Sequence, residues 1–250
     1  MTLRLERDGA IGRLLIDRAD KRNAFNQAMW TLFPVLLAEA LADAAIRVIV
    51  LQSSTPGVFC AGADIGELLA NKDDAQWRAA NQAAINKAQH DLARAEKPVI
   101  AFVDGDCVGG GCGLALACDI RVATSRSRFG ITPGNLGLVY PLHDSKLLTD
   151  LVGPGQAKRM LFSAQLIGSD EALRIGLIEE LGESADALAA LIAGKSLHSL
   201  TNMKHFVRRI LDGQANDDAE TLAIFAHAFT RADFLEGTTA FVEKRKPNFK

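Results

Sequence analysis

The sequence predicts an α/β fold followed by a helical segment. Before about residue 180, short apolar runs typical of strands alternate with longer stretches of helical spacing, and from about Ser184 onward the pattern is helical throughout. Strands that alternate with helices are typical of α/β proteins. We therefore divide the chain into residues 1–183, a core, and residues 184–250, a C-terminal helical segment.

The individual elements follow from apolar periodicity and from the residues that bound each run. The predicted strands cover 3–7, 11–17, 47–52, 99–103, 119–123, 128–131 and 177–181. The predicted helices cover 26–42, 74–95, 142–151, 155–162, 170–175, 187–193, 197–211 and 217–231, with a short small-residue helix after Gly111.

Several boundaries have a specific cause. Asp8-Gly9 favours a hairpin turn between the first two strands. Asn26 and Ser169 are expected to cap helices, and Pro34 is expected to kink or shift the helix that contains it. The turn-rich segment 132–141 is unusually long for a compact domain unless it forms part of a site.

Composition excludes several classes of protein. The 250 residues are 48% hydrophobic, enough for a substantial core, and the formal charge of −2 gives no reason to expect a nucleic-acid partner. The sequence contains neither a long apolar span nor the apolar core of a secretory signal, so we expect no membrane partner and a cytoplasmic location. The cysteines have no metal-ligand spacing, and we interpret them as small buried hydrophobes: Cys60, Cys107, Cys112 and Cys118.

The run 109–111 consists of three glycines at the start of the short small-residue helix. Such a start offers unpaired N–H groups and a positive dipole end to an anion or oxyanion. A second Gly/Ala stretch, 59–65, also follows an apolar strand, and the N–H groups of both stretches could converge on one oxygen. Tight packing of a helix on a strand explains the same glycines. Dinucleotide binding is a weaker alternative, because the run does not fit G-x-G-x-x-G cleanly.

Residues 59–65 and 99–119 closely resemble the crotonase (enoyl-CoA hydratase/isomerase) superfamily. The likeness covers nearly the whole chain, including Lys21-Arg22-Asn23-Ala24 and the end segment 241–249. The resemblance implies a spiral of ββα units whose C-terminal helical segment serves trimerisation, so that a homotrimer or hexamer is expected. It also implies an acyl-CoA thioester substrate, with CoA carried by the substrate and no metal or redox cofactor.

The resemblance implies roles for particular residues. The backbone N–H groups of Ala63 and Gly110 correspond to the oxyanion hole. The positions that match the CoA-binding loop and the pantetheine and thioester path are Lys21, Arg22, Ala24, Ala61, Asp64, Ile65 and Gly109. The basic run 244–246 lies near the CoA phosphates in many relatives, and a solvated tail is an equal alternative for it.

The chain departs from the family's hydratases at two positions. They carry a glutamate two residues after the triple glycine and a second one later, where this chain has Gly113 and Pro133. Addition of water to an enoyl group needs a general base and a general acid, and neither residue can serve. We therefore expect decarboxylase, isomerase or other lyase chemistry rather than hydration. A non-catalytic CoA-thioester binder and a hydratase with substitute acid and base residues remain alternatives.

Some titratable groups remain near the expected site. Tyr140, the only tyrosine, lies in a segment that resembles methylmalonyl-CoA decarboxylase-like members, and it could donate a hydrogen bond or proton, or simply pack on Phe129. Exposure to solvent is the more favoured prediction for His143 and Asp144. Glu67 is either an acid candidate or an ordinary exposed helix residue. No role is assigned to His90, His198, His205 or His227.

Overall fold

The computed structural model describes residues 2–249. The strands are β1 (Leu3–Asp8), β2 (Ile11–Ile16), β3 (Val48–Ser53), β4 (Val58–Cys60), β5 (Val99–Val103), β6 (Asp106–Val108), β7 (Ile120–Ala123), β8 (Arg128–Gly130), β9 (Ile167–Gly168) and β10 (Glu180–Leu181). The helices are α1 (Gln27–Ala42), α2 (Ile65–Ala70), α3 (Ala75–Ala93), α4 (Gly110–Ala117), α5 (Leu142–Ser163), α6 (Ser169–Arg174), α7 (Asp186–Ala193), α8 (Leu197–Leu211), α9 (Ala219–Ala228) and α10 (Ala232–Val242).

The strands form two sheets, and the chain passes repeatedly from one to the other. The larger sheet has the order β1-β2-β3-β5-β7-β10, and the smaller has the order β4-β6-β8-β9. Only the pairs β1/β2 and β8/β9 are antiparallel. The successive pairs β3–β4, β5–β6 and β7–β8 each place one strand in each sheet before the chain turns into helices. The predicted α/β class is confirmed, with a ββα unit as its repeat.

The larger sheet is buried on both faces, as its apolar third strand predicted. Ile49 and Leu51 point into the main core, together with α1, α3 and α4. Val48 and Val50 point to the other face, where Ala185 and Ala189 at the start of the C-terminal segment cover them. Helix α7, the first helix after residue 184, therefore packs directly on the larger sheet. The division of the chain at 183/184 stays a prediction.

A buried arginine fixes the end of α4. The guanidinium of Arg121 donates hydrogen bonds to the carbonyl oxygens of Cys118 and Leu177, both at 2.9 Å, and forms an ion pair with Glu179. A cation at a helix C-terminus satisfies carbonyl groups that have no partner within the helix. This contact orients α4, whose opposite end begins with the glycine run.

Several predicted boundaries were wrong. Helix α1 continues through Pro34, whose ring is buried in the core-facing side. The cap of α6 is Gly168 rather than Ser169, because the Ser169 hydroxyl donates instead to the carbonyl oxygen of Ser125. By contrast, the two helices predicted over 142–151 and 155–162 are confirmed, since Gly153, with a φ of 73°, separates two helical stretches within α5. The strand predicted from 177 is confined to Glu180–Leu181.

The last three helices leave a broad apolar surface uncovered. Helix α8 has no buried residue, and α9 and α10 have one each. The large side chains exposed on these helices, or directly after α9 in the case of Phe229, include Met203, Val207, Ile210, Leu222, Phe225, Phe229, Leu235 and Phe241. No helix among the described residues is long and apolar enough to cross a membrane.

Candidate active site

The start of α4 is a free helix N-terminus. Gly109 precedes the helix with φ 55° and ψ −120°, a conformation that favours glycine, and no side chain caps the helix. The first N–H groups of a helix have no partner within it. Gly110 therefore presents an N–H group toward the space in front of the helix.

The N–H group of Ala63 lies close to this helix start. Phe25 bridges the two neighbours of Ala63, since its N–H donates to the oxygen of Gly62 at 2.7 Å and its oxygen accepts from Asp64 at 2.8 Å. That pattern leaves the Ala63 N–H outside the bridge. A β-carbon built on Gly110 would lie 3.8 Å from the Ala63 nitrogen. The two Gly/Ala stretches therefore lie close together, and the convergence of their N–H groups on one oxygen stays a prediction.

This close approach depends on the missing side chains. A β-carbon on Gly62, where φ is +94°, would lie 2.9 Å from the Val108 oxygen, and one on Gly111 would lie 2.4 Å from the Cys60 oxygen. Both obstacles are backbone atoms, which cannot rotate away. The glycines are required for the two stretches to pack together, so tight packing and an oxyanion site are compatible explanations of the same residues.

Ala63 and Gly110 line a cavity of about 480 Å³. Its walls come from α1, α2, α3 and the turn-rich segment 132–141, whose unusual length was consistent with a role in a site. The lining includes Trp30, Ala63, Ile65, Leu68, Lys72, Trp77, Arg78, Asn81, Ile85, Gln89, Gly110, Pro133, Leu136, Leu138, Val139, Tyr140 and Asp144. The lining is mostly apolar, with a few polar groups, as is typical of small-molecule sites.

Three polar side chains surround Gly113, one of the two positions where the resemblance implied a glutamate. A β-carbon built on Gly113 would lie 2.2 Å from Nε2 of Gln89 and 3.1 Å from both Oδ2 of Asp144 and the hydroxyl of Tyr140. The position of the second missing glutamate, Pro133, lines the same cavity. The space beside Gly113 is thus filled by groups from α3, α5 and the preceding loop.

Asp144 is buried, contrary to the predicted exposure. Its side chain is only 1% exposed, and Oδ1 lies 3.2 Å from Nδ1 of the half-buried His143. Burial raises the pKa of the Asp144 carboxyl, while His143 and the neighbouring Gln89 amide act in the opposite direction and offset part of that effect. We expected Asp144 to be exposed because it lies in the first turn of a helix. That turn of α5 instead faces the cavity.

Tyr140 is also buried and lines the cavity. Its hydroxyl lies 3.4 Å from the carbonyl oxygen of Gly109, the residue before the helix start. Burial raises the pKa of the Tyr140 phenol, and the neighbouring Cys112 and Asp144 raise it further. The phenol therefore stays protonated at neutral pH and can act as a hydrogen-bond donor.

The cavity also contains polar atoms without a protein partner. Both amide atoms of Gln89, Oδ1 of Asn81 and Nε1 of Trp30 are buried and make no hydrogen bond of good geometry with the described residues. A buried polar group without a partner costs about 1–3 kcal/mol, which a bound molecule can recover. Asn81 and Gln89 were missed in the sequence because polar residues on a helix are usually exposed.

The residues assigned to CoA are distributed over different environments. Ile65 lines the cavity, whereas the remaining six do not. The backbone of Ala61 donates to the Arg22 oxygen at 3.0 Å, which joins the loop 21–24 to the Gly/Ala stretch. Lys21 is exposed and Ala24 is half-buried in the same loop. The role of all seven residues toward CoA stays a prediction.

Two charged members of that set have protein partners. Asp64 caps α2 through the Glu67 N–H at 3.2 Å and pairs with Arg18 at 2.8 Å. Burial opposes its charge, but these partners lower its pKa overall. Arg22 pairs with Asp106, which Arg128 also holds in a two-pronged contact at 2.8 and 2.9 Å. Both contacts stabilise the loops around the site.

Other candidates from the sequence have structural partners. The Glu67 carboxylate accepts the Gln27 N–H at 2.8 Å and so holds the start of α1. In the run 244–246, Arg245 pairs with Glu236 and Glu243. The four cysteines are buried and free, and burial raises the pKa of Cys60 and of Cys118 to about 12. Within residues 2–249, no group of three His, Cys, Asp or Glu side chains could hold a metal ion.

Comparison with known proteins supports the resemblance. Residues 6–250 match the family model for enoyl-CoA hydratase/isomerase. A short-chain-enoyl-CoA hydratase of Clostridium acetobutylicum is 33% identical over 97% of this chain and 95% of its own length. The mitochondrial methylglutaconyl-CoA hydratase of Mus musculus is 32% identical over 98% of this chain and 81% of its own length.

Solved structures match the fold as well. A crystal structure of an enoyl-CoA hydratase/isomerase family protein from Hyphomonas neptunium superposes with a TM-score of 0.96 and 36% identity, covering 100% of this chain and 98% of that one. The structure of an enoyl-CoA hydratase/carnitine racemase from Magnetospirillum magneticum superposes with a TM-score of 0.94 and 29% identity. The match covers 100% of this chain and 96% of that one. The crotonase-type fold expected from the sequence is confirmed.

Proposed function

The chain belongs to the enoyl-CoA hydratase/isomerase family, and from that premise we propose that it binds an acyl-CoA thioester with the thioester oxygen at the N–H groups of Ala63 and Gly110. The observation that carries this proposal is the position of both N–H groups at one cavity. Within residues 2–249, neither donates to another protein group among the loop, turn and cap hydrogen bonds.

The chemistry follows from the charge that these donors stabilise. Removing a proton or a carboxyl group next to a thioester carbonyl moves an electron pair onto the oxygen and forms an enolate. Two fixed backbone donors stabilise that oxygen without reorganising, and one such donor typically contributes about 10²–10³ in rate. The reaction therefore proceeds through a thioester enolate held at the start of α4.

The proposed reaction class is a lyase or isomerase reaction rather than hydration by the two-glutamate route. Gly113 and Pro133 line or adjoin the cavity and supply neither an acid nor a base. Decarboxylation and double-bond migration need fewer catalytic groups than hydration does, since a site that stabilises the enolate and one group that carries a proton are sufficient. Tyr140, protonated and within the cavity, serves in this proposal as a hydrogen-bond or proton donor to the substrate.

Hydration with substitute residues is the second candidate. The curated relatives described above are named hydratases, and Asp144 places one carboxyl group beside Gly113. In this second candidate mechanism, Asp144 takes the role of the first glutamate. Residue 133 is a proline, so no carboxyl group is available there for the other proton transfer of hydration. The chain would then hydrate enoyl-CoA esters slowly.

The CoA portion is assigned to the loop 21–24 and to the approach past Ala61, Asp64 and Ile65. Lys21 is exposed and available for a phosphate group. Arg22 and Arg245 would have to exchange carboxylate partners for phosphate. No metal or redox cofactor is part of the proposal, and CoA enters with the substrate.

We also propose that the chain forms a homotrimer or hexamer through the segment 184–250. The support is the large apolar surface on α8, α9 and α10. Contiguous exposed apolar patches of this kind mark protein interfaces. In an assembled oligomer, those aromatic and aliphatic side chains would lie against another copy.

A substrate comparison tests the reaction class. The purified protein would be assayed with crotonyl-CoA for hydration, a 3-enoyl-CoA for double-bond migration, and methylmalonyl-CoA for release of carbon dioxide. We expect migration or decarboxylation to exceed hydration by at least tenfold in kcat/KM. Fast hydration of crotonyl-CoA would favour the second candidate. Binding of CoA esters without turnover of any of them would favour a non-catalytic binder.

A further inference from the structure

We propose that the carboxyl group of Asp144 transfers the proton to and from the acyl carbon next to the thioester carbonyl. This inference rests on the proposed function, because it requires an acyl-CoA in the cavity. Asp144 lies on the first turn of α5, a different element from those that hold Gly113 and Pro133. Its position was unexpected, since the sequence predicted an exposed side chain.

Geometry singles out Asp144 among the acidic residues of this region. Among residues 2–249 it is the only acidic residue that lines the cavity, and the carboxylates of Asp64 and Glu67 are engaged in capping contacts outside it. Its Oδ2 lies 3.1 Å from where a β-carbon of residue 113 would be, next to the hydroxyl of Tyr140. One carboxyl group is therefore present where a side chain at 113 would begin, although it arrives from the opposite wall.

The other titratable groups around the cavity are less suited to be the base. The Tyr140 phenol is buried near Cys112 and Asp144, which keep it protonated. His143 lies on the same helix turn, is about one-third exposed, and is not part of the cavity lining. Lys72 and Arg78 also line the cavity, but lysine and arginine side chains offer hydrogen-bond donors and no acceptor. Among the titratable groups around the cavity, the Asp144 carboxyl group is therefore the one best suited to accept a proton.

The surroundings of Asp144 suit a group that alternates between two protonation states. From its own helix His143 stabilises the charged form, and from α3 the Gln89 amide does the same to a smaller extent. The ring of His90, also on α3, lies 6.0 Å from that of His143. The Tyr140 phenol from the loop, and beyond it the Cys112 thiol of α4, lie on the remaining side. Burial opposes the charge and has the largest effect, so the pKa of Asp144 is raised overall, while these neighbours keep the charged form accessible.

The proton-transfer step balances without a further reactant. The Asp144 carboxylate takes a proton from the carbon next to the thioester, so a C–H bond breaks, an O–H bond forms, and the electron pair moves into the enolate at Ala63 and Gly110. Return of the proton to the same carbon restores the substrate, and return to the γ-carbon of an unsaturated chain moves the double bond. After loss of carbon dioxide, the protonated carboxyl group donates to the enolate and regains a proton from water.

Gln89 is assigned a positioning role in the same cluster. It is 1% exposed, its amide lies beside Asp144, and neither amide atom has a hydrogen-bond partner of good geometry among the described residues. A substrate atom or a water molecule at the cavity end would meet this amide and the carboxyl group together. Gln89 therefore closes the space beside Gly113 and lies next to the carboxyl group of Asp144.

Hydrogen exchange tests the role of Asp144 without knowing the physiological substrate. Butyryl-CoA, which is saturated and can only exchange its α-hydrogens, would be incubated with the protein in D₂O, and deuterium uptake would be followed by mass spectrometry. We expect uptake with the wild type and a loss of about 100-fold or more with Asp144→Asn, the usual range for a general base. The matched control is Asp150→Asn, which removes a carboxylate from the same helix, where it pairs with Lys146 on the surface side.

The outcomes separate this inference from the proposed function. Exchange that survives in Asp144→Asn but is lost in Gly110→Pro overturns the role of Asp144 and leaves the enolate site intact. No exchange with the wild type overturns both. Since Asn is nearly isosteric with Asp, folding should be preserved, and melting curves would verify this. As a second measurement, the wild-type exchange rate should rise with pH through one ionisation, and a flat profile would contradict the proposal even if the variant failed to fold.

Discussion

The side-chain amide of Gln89 occupies the space that a side chain at Gly113 would need. A β-carbon built on Gly113 would lie 2.2 Å from Nε2 of Gln89, well inside contact distance. Gly113 is the position at which the resemblance to the family's hydratases implied a glutamate. The missing side chain is therefore compensated by a residue from α3, and the two positions depend on each other.

This dependence is measurable as a coupling energy. We expect Gly113→Ala to be less favourable, by about 1 kcal/mol in the free energy of unfolding, in the wild type than in the Gln89→Ala background, because neighbours in contact are not additive. Chemical denaturation of the four proteins gives the cycle. Gly155→Ala, where a β-carbon meets nothing within 4 Å, should show no coupling to Gln89→Ala. Additive effects at 113 and 89 would contradict the proposed mutual packing.

The Gly110 N–H can be removed without removing the residue. We expect Gly110→Pro to lower kcat/KM by about 10²–10³, because proline has no N–H group, and a proline is tolerated at the first position of a helix. The matched control is Gly110→Ala, which keeps the donor while its β-carbon lies 3.2 Å from the Trp30 ring. Ala63→Ser should have a milder effect, since the donor there is also backbone. Equal losses in the proline and alanine variants would assign the effect to steric contact with Trp30.

The pKa of Asp144 makes a prediction about stability. Burial raises this pKa above its usual value of 3.8, so the folded protein binds the proton more tightly than the unfolded chain does. Stability therefore falls as pH rises from the unfolded pKa through the folded one. We expect Asp144→Asn, which cannot ionise, to gain melting temperature relative to the wild type between pH 4 and pH 8. A difference that stays constant or decreases over this range would contradict the raised pKa.

The glycine runs indicated the candidate site because glycine allows two backbone segments to approach closely. Gly62 and Gly111 allow two backbones to meet, and a side chain at either would strike main-chain oxygen. The elements around them were predicted from periodicity for a similar reason, since strand and helix patterns depend mostly on neighbours in sequence. Features that depend on neighbours in sequence, such as the helices, the strands and the glycine-rich turns, could therefore be inferred before the fold was known.

The remaining part of the site depends on tertiary structure. Asp144 has the sequence context of an exposed residue in a first helical turn, and Gln89 that of a surface residue on a polar helix. Both are buried because α3 and α5 pack against α4 across the cavity. Asn23 is similarly buried, and its amide joins Ser53 and Phe59 at 2.8 and 3.1 Å. No local pattern specifies such contacts between distant segments.

The hydroxyl of Tyr140 should affect turnover more than binding. Tyr140→Phe keeps the buried ring and removes the one group that lies 3.4 Å from the Gly109 oxygen beside the helix start. If the phenol donates to the substrate in the transition state, kcat falls by about 10²-fold while KM changes little. Steady-state kinetics on whichever acyl-CoA proves active measures this split. An unchanged kcat would reduce Tyr140 to a packing residue, and a rise in KM alone would limit it to substrate binding.

The apolar surface of α8–α10 gives the last prediction. Phe225 is 64% exposed and touches Phe229, with 5.5 Å between ring centroids, although both side chains are apolar and large. If another copy covers them, Phe225→Asp buries a charge at the interface and should convert the oligomer to smaller species. Size-exclusion chromatography with light scattering measures the mass, and Val35→Asp, an equally exposed apolar position on α1, is the matched control. A wild-type protein that elutes as a 26.8 kDa monomer would refute the assembly, because the exposed surface would then have no partner of its own kind.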